Sequence, residues 1–245
     1  MEKEAYKTMA ENERNHWWFC GRRVILKSIL NKLNKNKFEH ALDIGCGTGG
    51  SMLDISKVAK EVSGIEPSEQ AINFAHQNYP KLNITRAIFP DELPNSKYDL
   101  ITMFDVLEHI KDDEGAISAV SKLLLPGGFA IITVPAYQFL WSQHDEHLHH
   151  FRRYTVSGLK KIIYKNKDLS ITYVHYYNSL LFAVIALARL YKKILKIGRG
   201  GDDEQIPNKI LNKALQWIFS LERFWLPYAS LPFGVSIICV IKKKI

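Results

Sequence analysis

The chain has 245 residues, 47% of them hydrophobic and 24% charged. That is the profile of one packed domain with insertions, and it excludes a disordered tail. Lys and Arg outnumber Asp and Glu by 33 to 25, a net charge of +8 that tolerates anionic partners without choosing among nucleic acid, phosphorylated metabolites and acidic lipid heads.

Three scattered cysteines, Cys20, Cys46 and Cys239, exclude a disulfide framework and a zinc knuckle. The N-terminal stretch is charged and lacks an apolar h-region. No apolar run reaches the ~18–20 residues of a spanning helix. A cytoplasmic, reducing address is therefore expected.

Residues 1–35 read as helical, with clear apolar spacing from Val24 to Leu33 behind a dense block from His16 to Arg23. From Phe38 onward, short β-type runs alternate with helical segments. The runs are a first ending at Ala41–Gly45, then Glu61–Glu66, Leu82–Ile88, Tyr98–Phe104 and Gly128–Pro135. Helices are predicted near 50–60, 68–78 and 112–124, with Ser68 and Asp112 as N-caps. Pro126-Gly127-Gly128 reads as a turn that launches the fifth strand. Such alternation predicts a parallel sheet with helices on both faces. Two further runs, Ser170–Tyr177 and Val235–Lys242, bring the count to about seven strands, the last two separated by a long helical insertion.

The strongest local signal runs from Ala41 to Gly50, with Gly45, Gly47, Gly49 and Gly50 at the end of a strand. Glycines there let the backbone turn tightly and approach a ligand. The spacing Gly45-x-Gly47-x-x-Gly50, with Glu66 21 residues beyond Gly45, also fits a dinucleotide fingerprint. Asp43 separates the two readings. A carboxylate within a strand is costly without a cationic partner. An aminoacyl ligand supplies an ammonium there, whereas a pyrophosphate would be repelled.

The stretches LDIGCGTG, YDLITMFDVLEHI and LLLPGGFAIITVP, in that order, resemble the class I S-adenosylmethionine-dependent methyltransferases over roughly residues 38–178, with the last strand returning at 234–242. HWWFCGRR, HDEHLHHFRRYT and LPFGVSIICVIKK further resemble a bacterial and archaeal subgroup associated with methylation of glycan or lipid-linked intermediates. The resemblance implies a Rossmann-like, seven-stranded, doubly wound α/β sheet. It divides the chain into an N-terminal helical lid (1–37), a cofactor-binding core (38–178), a helical insertion (179–233) and a last core strand (234–245). It also implies S-adenosylmethionine as cofactor and S-adenosylhomocysteine as product. Asp43, Gly45, Cys46, Gly47 and Gly49 are expected along its methionine and ribose part, and Glu66 on the ribose hydroxyls. Phe104 and Asp105 are expected by the methyl-transfer centre. From the lid, Trp18 and Arg22 are expected over the cofactor, the arginine on its carboxylate. One departure stands out. The family often places an acid after the third strand for the adenine amino group, and here that position is Phe89.

Acceptor chemistry is expected just after the fifth strand, because ligands of open α/β sheets bind outside the strands' carboxyl ends. His150, His144 and Asp145 are the candidate bases, and Arg152, Arg153 and Tyr154 the candidate acceptor clamp. A solvated polar loop is the alternative. No metal is expected, since His144, His147, His149 and His150 have no Cys partner and no HExxH-type helical pair. His109 reads as a structural residue at a helix start, and Cys46 as a small loop residue with no base beside it.

In the insertion, Leu180–Tyr191 is strongly apolar and is followed by Lys192, Lys193, Lys196 and Arg199, then by an acidic run at Asp202–Glu204. A second helix carries Ile210, Leu211, Ala214, Leu215, Ile218, Leu221 and Trp225 at three- and four-residue steps. A cap over the pocket, a homodimer surface and a helix lying on a membrane through 180–228 all fit. The expected activity is methyl transfer to an oxygen of a small-molecule, glycan or lipid-linked acceptor. A cofactor-binding module without turnover and a nicotinamide-dependent oxidoreductase are the alternatives. Nucleic acid is not expected as a partner, since neither a base-amino methylation motif nor an RNA-binding module is visible.

Overall fold

The computed structural model describes residues 10, 12–33, 37–195, 206–229 and 231–245. Helix α1 (Trp17–Leu33) is followed by β1 (Phe38–Ile44), α2 (Gly50–Ile55), β2 (Ala59–Glu66), α3 (Glu69–Asn78), β3 (Asn83–Arg86) and β4 (Tyr98–Phe104). Then come α4 (Asp113–Leu123), β5 (Leu124–Pro135), α5 (Gln143–His147), α6 (Val156–Tyr164), β6 (Leu169–Tyr177), α7 (Phe182–Leu195), α8 (Lys209–Ser220) and β7 (Ser236–Lys243).

The seven strands form one sheet in the order β3-β2-β1-β4-β5-β7-β6. The first five are mutually parallel, as the alternation predicts. β7 slots between β5 and β6 and is antiparallel to both, so the sheet is mixed rather than wholly parallel. The central strands β1, β4, β5 and β7 are nearly continuous buried runs, as strands covered on both faces must be. β5 begins at Leu124, so Pro126-Gly127-Gly128 is an irregularity inside the strand and not a turn before it. The helix after the glycine loop stops at Ile55 because β2 already begins at Ala59. Ser68 and Asp112 cap α3 and α4 as expected, their side chains accepting from the N–H groups of Ala71 and Gly115.

One face of the sheet packs Ile117, Val120, Leu159 and Ile163 from α4 and α6. The other packs Ile25, Ile29 and Leu30 from α1 and Phe219 from α8. Helices α1 and α8 therefore meet on the sheet. Gly21 allows this: a Cβ there would overlap the Phe219 ring. The buried side of α8 is Asn212, Leu215 and Phe219. The stripe expected from spacing is offset from it, since Ile210 and Leu211 face outward while Leu215 and Ile218 pack inward. The turn from β6 into α7 is held by Glu222, fully buried, which accepts from the N–H groups of Asn178, Ser179 and Leu180 at 2.6–2.9 Å. No helix among the described residues is long and apolar enough to cross a membrane. Lys196, Arg199, the Asp202–Glu204 run and the side chains of Lys192 and Lys193 lie outside the described residues.

Candidate functional site

The glycine loop leaves β1 and enters α2 with Gly45, Gly47 and Gly49 all at positive φ. Gly45 has a second constraint, since a Cβ would lie 2.5 Å from Val106 Cγ2. Asp43 is buried at the end of β1. Its partners are hydroxyls, not a cation: Ser51 donates to Oδ2 and Thr102 to Oδ1, each at 2.6 Å. Burial pushes its carboxyl up to about 6, against the pull of those two hydrogen bonds. The buried Glu66 accepts from Gly47 N–H at 3.1 Å and from Ser68 N–H at 3.0 Å. Cys46 is buried with its thiol pushed up by burial and by the Asp43 and Glu66 charges, which makes it inert as a nucleophile. Phe89 packs against the core.

From the segment before α1, Glu13 reaches the same loop, accepting from the Thr48 hydroxyl at 2.7 Å. A Cβ on Gly50 would overlap its carboxylate. Neither Glu13 nor Thr48 was legible as a contact, because 35 residues separate them.

Beside this loop lies a cavity of about 330 Å3, lined by α1, the ends of β4 and β5, the α5 region and α7. Trp18, Arg22, Phe104 and Asp105 are among its lining residues. Arg22 stacks 4.4 Å from the Trp18 ring and pairs through Nη1 with Asp105 Oδ2. The arginine expected on the cofactor carboxylate is thus engaged by a carboxylate of the chain. Helix α7 contributes Ile185, Ala188 and Arg189, so part of the insertion does roof the cavity.

The same cavity is lined by Glu108, His109, His144, His150 and Arg153. His150 is held by its Nδ1, 2.9 Å from Asp145 Oδ1. Asp145 is fully buried and cannot itself reach an acceptor. Arg153 grips it with Nε at 2.7 Å and Nη2 at 2.9 Å, and Ser142 N–H donates at 2.9 Å. Burial alone would raise this carboxyl, but the bonds from His150 and Arg153 hold it below the usual carboxylate range. Asp145 therefore positions His150 and is corrected from candidate base to positioning residue. Arg153 lines the cavity but spends its donors on Asp145 and the Ala136 carbonyl. Arg152 and Tyr154 are corrected too, as neither lines the cavity. Arg152 binds Asp113 and the Lys111 carbonyl, and the Tyr154 hydroxyl donates to Asp113 at 3.0 Å.

Glu108 and His109 are the residues that spacing alone did not bring into the site. Both follow β4 through a single 3-10 turn, Leu107–His109. Glu108 is 1% exposed and neither carboxylate oxygen has a hydrogen-bond partner. Burial, then the Asp105 charge, push its carboxyl well above the usual range. Burial, then His150, hold His109 down to about 3. The one available signal was position: an acid and an imidazole at a strand's carboxyl end.

Residues 20–169 match the family model described as "Methyltransferase domain". A probable S-adenosylmethionine-dependent methyltransferase of Mycolicibacterium smegmatis is 25% identical over 130 residues, 53% of this chain and 49% of that protein. A ubiquinone biosynthesis O-methyltransferase of Coxiella burnetii (strain Dugway 5J108-111) is 33% identical over 110 residues, 43% of this chain and 47% of that protein. The chain thus spans about half the length of these curated relatives. The plantazolicin methyltransferase BpumL, solved with a monoazolic desmethylPZN analog and SAH, shares the fold at a TM-score of 0.60 and 17% identity, over 98% of this chain and 90% of that one. The fold, the glycine loop and the family match agree, and the chain belongs to the S-adenosylmethionine-dependent methyltransferase domain family.

Proposed function

We propose that this chain methylates an oxygen of a small-molecule, glycan or lipid-linked acceptor held in the cavity. The observation that supports this reading is one cavity lined both by Arg22, Phe104 and Asp105, at α1 and the end of β4, and by His150, which Asp145 holds through Nδ1. The relative named as a ubiquinone biosynthesis O-methyltransferase favours oxygen as the methylated atom.

The glycine loop, Asp43 and Glu66 would hold S-adenosylmethionine, with Asp43 toward its ammonium and Glu66 on its ribose hydroxyls. The cofactor supplies an electrophilic methyl group on a sulfonium. The chain aligns the reactants and excludes water, which is most of what an in-line displacement needs. Trp18 and α7 close the cavity over the acceptor. His150, its Nδ1 bound to Asp145, presents Nε2 as the atom that takes the acceptor's hydroxyl proton.

A lipid-linked acceptor is favoured by a second observation. α7 leaves Val184, Leu187, Leu190 and Tyr191 more than half exposed while Ile185 and Ala188 of the same helix line the cavity. One helix would then touch a membrane surface and the acceptor site at once.

The test is incubation with methyl-labelled S-adenosylmethionine and a membrane-plus-cytosol extract, with the labelled product identified by mass spectrometry. Label on an acceptor oxygen is expected. Label on nitrogen or carbon would overturn the oxygen reading, and no label above a cofactor-only control would overturn turnover itself.

A further inference from the structure

Three groups of the acceptor-side wall converge. A carboxylate oxygen of Glu108 and one ring nitrogen each from His109 and His150 all lie within 4.8 Å of one another. The two imidazoles meet edge to face, centroids 4.6 Å apart. They come from two loops, after β4 and after α5, tied by Phe151 N–H donating to the Glu108 carbonyl at 2.8 Å. The convergence is therefore built by the fold and is not a chance of neighbouring sequence.

Glu108 is the group that asks for a ligand. It is 1% exposed, and both its carboxylate oxygens lack a hydrogen-bond partner while facing the cavity. A buried carboxylate in that state is costly unless a cation or a donor arrives. Charged neighbours do not fill the role. Arg153 is committed to Asp145, and Arg22 to Asp105.

The imidazoles are oriented as metal ligands usually are. Asp145 engages Nδ1 of His150, so the ring offers Nε2 to the cluster, and Arg153 and Ser142 fix Asp145 in turn. The carboxylate–imidazole–metal arrangement sets the tautomer and raises ligand basicity.

We propose that Glu108, His109 and His150 bind a divalent transition-metal ion of the zinc type, with a coordination position open to the cavity. Two imidazoles and one carboxylate suit zinc, cobalt, manganese or ferrous iron, whereas magnesium and calcium demand more oxygen ligands. Three protein ligands leave room for an outer one, the pattern of a reactive and not a structural site. Tetrahedral zinc bonds of about 2.0–2.2 Å set donors about 3.4 Å apart, so the widest pair closes by up to about 1.4 Å on binding.

The inference rests on reading the cavity as the acceptor site. With the ion bound, His150 Nε2 is a ligand; the ion would then lower the pKa of a coordinated acceptor hydroxyl, whose proton passes to solvent water and not to the imidazole.

The experiment uses the full chain, stripped with chelator and dialysed. Zn2+ binding is measured by calorimetry, and Co2+ by its visible absorption. One equivalent is expected, with Glu108→Gln and His150→Ala each weakening binding at least about 100-fold and Asp145→Asn about 10–100-fold. His149→Ala, an exposed neighbour outside the cluster, should bind as wild type. S-adenosylhomocysteine affinity, read in parallel, reports that each variant is folded. No binding by the wild type, or loss with His149→Ala but not with Glu108→Gln, overturns the site. Methyl transfer by protein that binds no ion would sink the metal and leave the proposed function standing. Stoichiometric binding without any methyl transfer would do the reverse.

Discussion

Arg22 and Asp105, 83 positions apart, pair at the cavity wall and tie α1 to the end of β4. Asp105 sits at φ 57 to make the pair, a conformation uncommon outside glycine. Helix α1 is therefore fixed to the strand end at the cavity. Arg22→Met should leave Asp105 without its partner, loosen α1 and lower S-adenosylhomocysteine affinity about tenfold. In a double-mutant cycle with Asp105→Asn, the two losses should be strongly non-additive. Additive losses in calorimetry would show that the latch does not couple the two residues.

Asp43 gives a pH signature. Its folded carboxyl sits at about 6, above the ordinary 3.8, because of burial. The folded state thus binds the proton more tightly than the unfolded one. The apo fold should lose stability as pH rises from about 4 to about 6, by on the order of 1–3 kcal/mol. Asp43→Asn should remove that slope, since Ser51 can turn its hydroxyl to accept from the amide. Cofactor affinity should rise with pH over the same window in the wild type, because the ammonium needs the ionised form. Thermal melts and calorimetry from pH 4 to 8 check both, and a wild-type slope unchanged in Asp43→Asn refutes the assignment.

Glu66→Ala should weaken cofactor binding by roughly 1–3 kcal/mol, through loss of a charged acceptor for two ribose hydroxyls. It also frees Gly47 N–H and Ser68 N–H, so the loop itself should soften. Unchanged affinity by calorimetry would remove Glu66 from the cofactor site.

Glu222→Ala strands the buried backbone N–H groups of Asn178 and Ser179 and the part-buried one of Leu180 ahead of α7. A loss of about 2–4 kcal/mol in denaturant unfolding is expected. Its effect on the cavity roof should appear as weaker acceptor binding with cofactor affinity retained. Equal loss of both would mean the turn supports the whole sheet.

The glycine loop, both N-caps and the strand run Tyr98–Phe104 were legible because each is encoded within a few neighbouring residues. The Arg22–Asp105 latch, the Glu13–Thr48 bond and the Glu222 lock join residues 35 to 83 positions apart, and no local pattern marks them. His150 was legible by its position after β5. The grip of Arg153 on Asp145 was not, which is why Asp145 read as a candidate base and Arg153 as part of the acceptor clamp. His109 read as a structural residue at a helix start, and Glu108 was not singled out, because only the fold carries them to His150.

The last expectation concerns the surface of α7. Val184, Leu187, Leu190 and Tyr191 are 54–67% exposed on one helix, and Trp217, Phe224 and Tyr228 are 61–75% exposed further on. The chain as a whole carries +8. An apolar surface with excess positive charge should bring the protein down with anionic liposomes and not with neutral ones, since each surface Lys or Arg contributes on the order of 1 kcal/mol. Rising salt should release it only in part, because the apolar contribution is insensitive to salt. Lys192, Lys193 and Lys196 replaced by Glu should remove the salt-sensitive part and leave cofactor binding intact. Leu187→Glu with Leu190→Glu should remove the salt-insensitive part. Wild-type protein that stays in the supernatant with anionic vesicles at low salt would refute the membrane reading. The outer face of α7 would then be a contact between copies of the chain, which sedimentation equilibrium would register as a dimer that Leu187→Glu dissociates.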